Sequence, residues 1–186
     1  MRSREEGRLA YHPPQRAVGA FILSLDHWIR ATFHLAKLHA FEEHLARGRS
    51  FFSLTNVALG GGSTLEFLAL RASAAHLVVP EIAERELLLQ PVLGAQPREV
   101  SCYLEHVAVH GTLELPPGVR TSDFLAHQTG FIALRACRIV PALAGRREPI
   151  PVVFVNAAAI LALAEEGAHV LGPPGEAARP KLAPTT

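Results

Sequence analysis

The residues with the most capacity for chemistry stand together at Arg120-Thr121-Ser122-Asp123. A guanidinium followed by two hydroxyls and a carboxylate, at a corner between a strand and a helix, can hold a small anion or a charged partner group. The same short polar side chains can instead cap the helix, with Thr121 or Ser122 accepting from its free N–H groups and Asp123 facing its positive end. Both uses are open on the sequence. Arg135, Arg138 and Arg146, the last followed by Arg147, enlarge the cationic set, so the expected ligand or partner site is Arg120, Thr121, Ser122, Asp123, Arg135, Arg138 and Arg146.

Other chemistries have less support. Zinc requires three or four ligands converging at about 2.0–2.3 Å. His34, His39 and His44 instead recur every five residues across a strand, a break and a helix, and His106 and His110 share a strand face about 13 Å apart. No metal site is expected. No Gly-x-Ser-x-Gly elbow surrounds a serine, and Cys102 and Cys137 fall within apolar strands, where a thiol acts as a small buried apolar group. Gly60-Gly61-Gly62-Ser63 lacks the Gly-Lys-Ser/Thr continuation of a phosphate loop and reads as a hairpin. The expectation is a non-enzyme without a cofactor.

The elements that position these residues come as a repeat. Trp28–Leu59 lies over Ala108–Ile139 without a gap, 80 positions apart, pairing Phe33 with Leu113, Leu45 with Leu125, Phe51 with Phe131 and Leu54 with Leu134. Within each copy the first signal has a period of two. Val107, Val109, Gly111, Leu113 and Leu115 alternate with His106, Ala108, His110, Thr112 and Glu114, and Ile29, Ala31, Phe33 and Leu35 with Trp28, Arg30, Thr32 and His34, which marks a half-buried strand. A break, a short helix around Leu45 or Leu125, and strands at Phe51–Leu59 or Phe131–Val140 follow. Leu65–Arg71 with His76–Val79, and Val152–Asn156 with Ile160–Leu163, close the two units.

The expected fold is therefore mainly β with short helices, a β-α-β-β-β unit duplicated into two pseudo-symmetric halves as small barrel-like or strongly bent antiparallel sheets. Residues 17–80 form the first repeat and 101–171 the second. Residues 81–100 form a connector in which Glu81–Leu89 has the composition of a short helix. The charged stretch 1–16 and the proline-rich stretch 172–186 read as disordered tails.

Gly111-Thr112-Leu113, Pro117-Gly118-Val119-Arg120-Thr121-Ser122-Asp123-Phe124-Leu125, Phe131-Ile132-Ala133-Leu134 and Val155-Asn156 form a string that resembles a family of small bacterial proteins of unknown function. The resemblance covers Val107–Leu163 and implies a fold unit in tandem, with no catalytic residues to carry over. The first copy has His39-Ala40-Phe41-Glu42-Glu43 in place of the central motif, so a site is expected in the second.

Composition narrows the function classes. A net charge of +1 argues against a dedicated nucleic-acid binder, and no apolar run reaches the roughly 18 residues of a membrane span. Two cysteines and a charged start point to the cytoplasm. With 49% hydrophobic residues, the leading expectation is a protein-interaction or scaffold module with a protein partner or homo-oligomeric contact. The alternative is a regulatory domain binding a small anionic ligand or nucleotide through arginines of the second repeat.

Overall fold

The computed structural model describes residues 15–166, apart from residues 47, 88, 90, 91 and 147. The expected tails lie outside the described residues except for Gln15 and Arg16, which open the first strand. The strands are β1 (Gln15–Ser24), β2 (His27–Ala36), β3 (Phe51–Ala58), β4 (Thr64–Arg71), β5 (Ala75–Pro80), β6 (Gln96–Tyr103), β7 (Ala108–Leu115), β8 (Phe131–Val140), β9 (Ile150–Asn156) and β10 (Ala162–Glu165). Two short helices are α1 (Phe41–Ala46) and α2 (Thr121–Ala126). Among the described residues, all neighbours pair antiparallel in one open sheet of order β10-β6-β7-β8-β9-β5-β1-β2-β3-β4.

Each repeat is one strand longer than the sequence pattern implies. The leading strands β1 and β6 precede the recognised hairpins, and β6 occupies part of the stretch assigned to a connector. Of the helix expected over Glu81–Leu89, the described residues form a single 3-10 turn, Glu84–Glu86. The strands of the two halves correspond one to one. Counterparts lie 80 positions apart from β1 to β3 and 85 apart thereafter, because the β8–β9 loop is longer than the β3–β4 loop. Leu54 opposes Leu68 and Phe52 opposes Leu70, as Leu134 opposes Val153 and Ile132 opposes Val155. Even single hydrogen bonds recur: Glu81 N donates to Gly19 O and Glu166 N to Glu99 O, both at 2.8 Å.

A register shift between Arg30 and Thr32, repeated between His110 and Thr112, bends each half. At the second shift a Cβ on Gly111 would stand 2.9 Å from both Arg135 O and Cys137 Sγ, so glycine permits the close approach of β7 and β8. Bending lets each five-strand half wrap its own core. The first gathers Ile22, Phe33, Phe41, Phe52 and Leu54; the second gathers Cys102, Val109, Leu113, Leu134 and Ile139.

The halves join where β5 pairs with β9, with Leu77 opposite Val155 and Val78 opposite Phe154. Both strands are buried on both faces, because successive side chains of a strand point to opposite sides. Val78 serves the first core while Leu77 and Val79 cross to the second; Val153 and Val155 serve the second while Val152 and Phe154 cross to the first. Phe154 meets Phe41 of the other repeat with ring centroids 5.4 Å apart.

Candidate functional site

A concavity lies at the outer end of the second half, between β6, β10 and the start of α2. It encloses about 660 Å³ and is lined by Arg98, Arg120, Thr121, Ser122, Leu163 and Glu165 among others, a size typical of small-molecule sites at roughly 300–1,000 Å³. The repeat explains why it is open. The counterpart of Thr121 is Phe41 and that of Arg98 is Val18, both fully buried in the first core. In the first half that space is filled by the Phe41–Phe154 ring pair. In the second, a hydroxyl stands at the Phe41 position and donates to Glu165 Oε1, so a packed apolar volume becomes an open cleft of mixed polar and apolar lining.

This changes the assignment of the polar motif. Neither Thr121 nor Ser122 caps α2: the N-cap is Arg120, and no side chain accepts a capping hydrogen bond there. Thr121 is buried and committed to Glu165. Ser122 lines the cleft and lies 3.5 Å from the Asp123 carboxylate, while the Asp123 carbonyl accepts from the His127 ring at 2.7 Å on the exposed side of the helix.

The remaining arginines expected at the site lie elsewhere. Arg135 is held between Glu114 (3.2 Å) and Glu84. Arg138 sits on the exposed side of β8, in register with His110. Arg146 reaches across to the first repeat, donating to Pro80 O at 3.1 Å with its guanidinium carbon 5.0 Å from the Phe21 ring centroid. Arg147 lies outside the described residues. The cleft cations are instead Arg98 and Arg120, and no ion pair among the described residues engages either.

Arg98, Gln96 and Glu165 are cleft residues that sequence reasoning missed. The repeat alignment, carried one strand further toward the N-terminus, sets Arg98 against Val18 and Gln96 against Arg16. A charge at the counterpart of a core position is the signal that would have found Arg98.

A second polar cluster closes the β6–β10 edge. Ser101 Oγ donates to Glu166 Oε1 at 2.7 Å and stands 2.7 Å from His110 Nδ1. These bonds hold the Glu166 carboxyl below its ordinary range, the Ser101 hydroxyl contributing most and His110 next. The serine is buried and donates to the carboxylate, so this is a structural clamp on β10 and lacks an exposed nucleophile with its base. Burial raises the thiols of Cys102 and Cys137 to about 11 and about 12, far from the lowered values of reactive cysteines. Among the described residues no group of three or more His, Cys, Asp or Glu side chains could hold a metal ion, and no helix is long and apolar enough to cross a membrane.

No family model, curated protein or solved structure matches this chain.

Proposed function

We propose that this chain is a non-catalytic interaction module that joins protein partners by strand addition at the open edges of its sheet. The observation that carries the reading is β4. It is an eight-residue edge strand, Thr64–Arg71, on which Leu65 and Phe67 are 40% and 59% exposed. Soluble proteins blunt such edges with charged side chains, proline, bulges or brevity; β4 has no proline, carries a single charge, Glu66, inside its run with Arg71 at its end, and pairs with β3 along its length. An exposed edge of this kind supplies main-chain hydrogen bonds for affinity and alternate side chains for specificity. The two buried, unpaired cysteines accord with the cytoplasm as its compartment. Affinity capture from the native host tests the reading. A partner retained by the wild type and by Arg120→Ala, but released by Phe67→Asp, is the expected result. Equal retention by all three proteins would count against it.

Arg98 and Arg120, which no ion pair engages among the described residues, favour a second activity of the same module, the binding of a small anionic ligand in the cleft. A thermal-shift series with inorganic phosphate and nucleotides reads this directly, since a ligand at 100 times its dissociation constant adds about 2.7 kcal/mol of stability. Loss of the shift in Arg98→Ala and Arg120→Ala is expected. A shift that both variants leave intact would place the ligand elsewhere.

A further inference from the structure

Resting on the edge-pairing reading above, we propose that the partner is a second copy of this chain, added head to tail so that β10 of one copy pairs antiparallel with β4 of the next. The chain already contains one such contact. In each repeat the strand order sets the fifth strand at one edge and the fourth at the other. The seam joins the fifth strand of the first repeat, β5, to the fourth strand of the second, β9. The surfaces left over are the fifth strand of the second repeat, β10, and the fourth strand of the first, β4. They are the repeat counterparts of the two surfaces that meet inside the chain.

The side chains at these edges support the correspondence residue by residue. Four seam residues cross into the neighbouring core: Leu77 and Val79 from β5, Val152 and Phe154 from β9, none more than 2% exposed. Their counterparts at the edges are Ala162 and Ala164 on β10 and Phe67 and Ala69 on β4, and all four are exposed. The counterparts of residues that face their own core, Leu163 and Leu70, are partly or fully covered. Among the described residues, each edge therefore has its inward half packed and its outward half exposed. The seam register carries over as Ala162 opposite Leu70 and Leu163 opposite Ala69 of the next copy.

Such a contact is heterologous, so assembly continues until it closes as a ring or extends as a filament. It also changes the setting of the cleft. At the new junction Thr121 and Ala69 stand where the seam has the Phe41 and Phe154 rings. The space is then walled by the next copy without being filled, and Arg98 and Arg120 lie at a boundary between copies.

Sedimentation velocity on the full chain, from micromolar to hundreds of micromolar, tests the proposal with two edge variants. Phe67→Asp blocks β4 and Ala164→Asp blocks β10, and both positions are exposed in the single chain, so the fold is retained. The expected result is a wild type above the mass of one chain and each variant alone at that mass. An equimolar mixture of the variants should reach two chains and no more, because only one good edge of each kind remains. Self-association by either variant alone would overturn the head-to-tail geometry. A wild type that stays at one chain, yet captures another protein in an edge-dependent way, would overturn self-assembly and leave the edge-pairing reading standing. A wild type at one chain whose captures ignore both variants would overturn both.

Discussion

Asn56 on β3 and Ala136 on β8, 80 positions apart, hold the same left-handed backbone conformation with φ of 49°. Each sits in the stretch where its strand slips register against its neighbour, Arg30 to Thr32 on one side and His110 to Thr112 on the other. The bend that lets each half enclose a core therefore depends on one left-handed residue per repeat. Asparagine tolerates that region better than alanine does, since its short polar side chain bonds locally.

Ala136→Gly is accordingly predicted to stabilise the fold by about 1 kcal/mol, because glycine adopts positive φ without the Cβ penalty. Ala136 is exposed, so no packing is lost. Urea unfolding should give a higher midpoint at an unchanged slope. The same change at Asn56 should gain less.

Much of this fold was legible in the sequence, and the misses have a common cause. The period-two pattern at Val109–Leu115 marked a real strand because its buried face is apolar in both copies, and Leu45 is buried on α1 as expected, whereas α2 buries Thr121 and leaves Leu125 half-buried at the cleft. β6 escaped because its outer half, Gln96–Glu99, is exposed and polar at the rim of the cleft. The cleft escaped with it, since its cations come from two elements and only Arg120 lay in the motif. The seam left a trace that was not used. Leu77-Val78-Val79 and Val152-Val153-Phe154-Val155 are unbroken apolar runs, the signature of strands buried on both faces, whereas β4 carries Glu66 inside its run.

The clamp at the end of β10 has a defined pH response. The Glu166 carboxyl is held below its ordinary value by Ser101 and His110, so the folded state favours the charged form. Its contribution is present above the ordinary carboxylate range and is lost as pH falls through the depressed value. Wild type and Glu166→Gln should therefore differ in denaturant midpoint at pH 7, and the gap should close toward pH 3. A gap that widens on acidification would contradict this assignment.

Cys102 and Cys137 should resist alkylation in the folded protein. With burial raising the thiols to about 11 and about 12, the thiolate fraction at pH 8 is about a thousandth or less. Mass spectrometry after iodoacetamide treatment should show no adduct in buffer and two adducts in denaturant. Rapid native labelling of either residue would show that the second core opens readily.

The seam gives the strongest contrast between two equivalent positions. Phe154 and Ala69 occupy the same place in their repeats, one packed against Phe41 of the other half and one exposed at the sheet edge. Phe154→Ala removes a fully buried ring from the first core and should cost about 3–5 kcal/mol, with cavity formation adding to the lost transfer energy. Ala69→Ser touches no core in the single chain and should stay within about 0.5 kcal/mol under dilute conditions. If copies associate through β4, the Ala69→Ser penalty should grow with protein concentration while the Phe154→Ala penalty persists at every concentration, because only the first depends on a contact governed by mass action. Thermal melts at two concentrations separate these dependences.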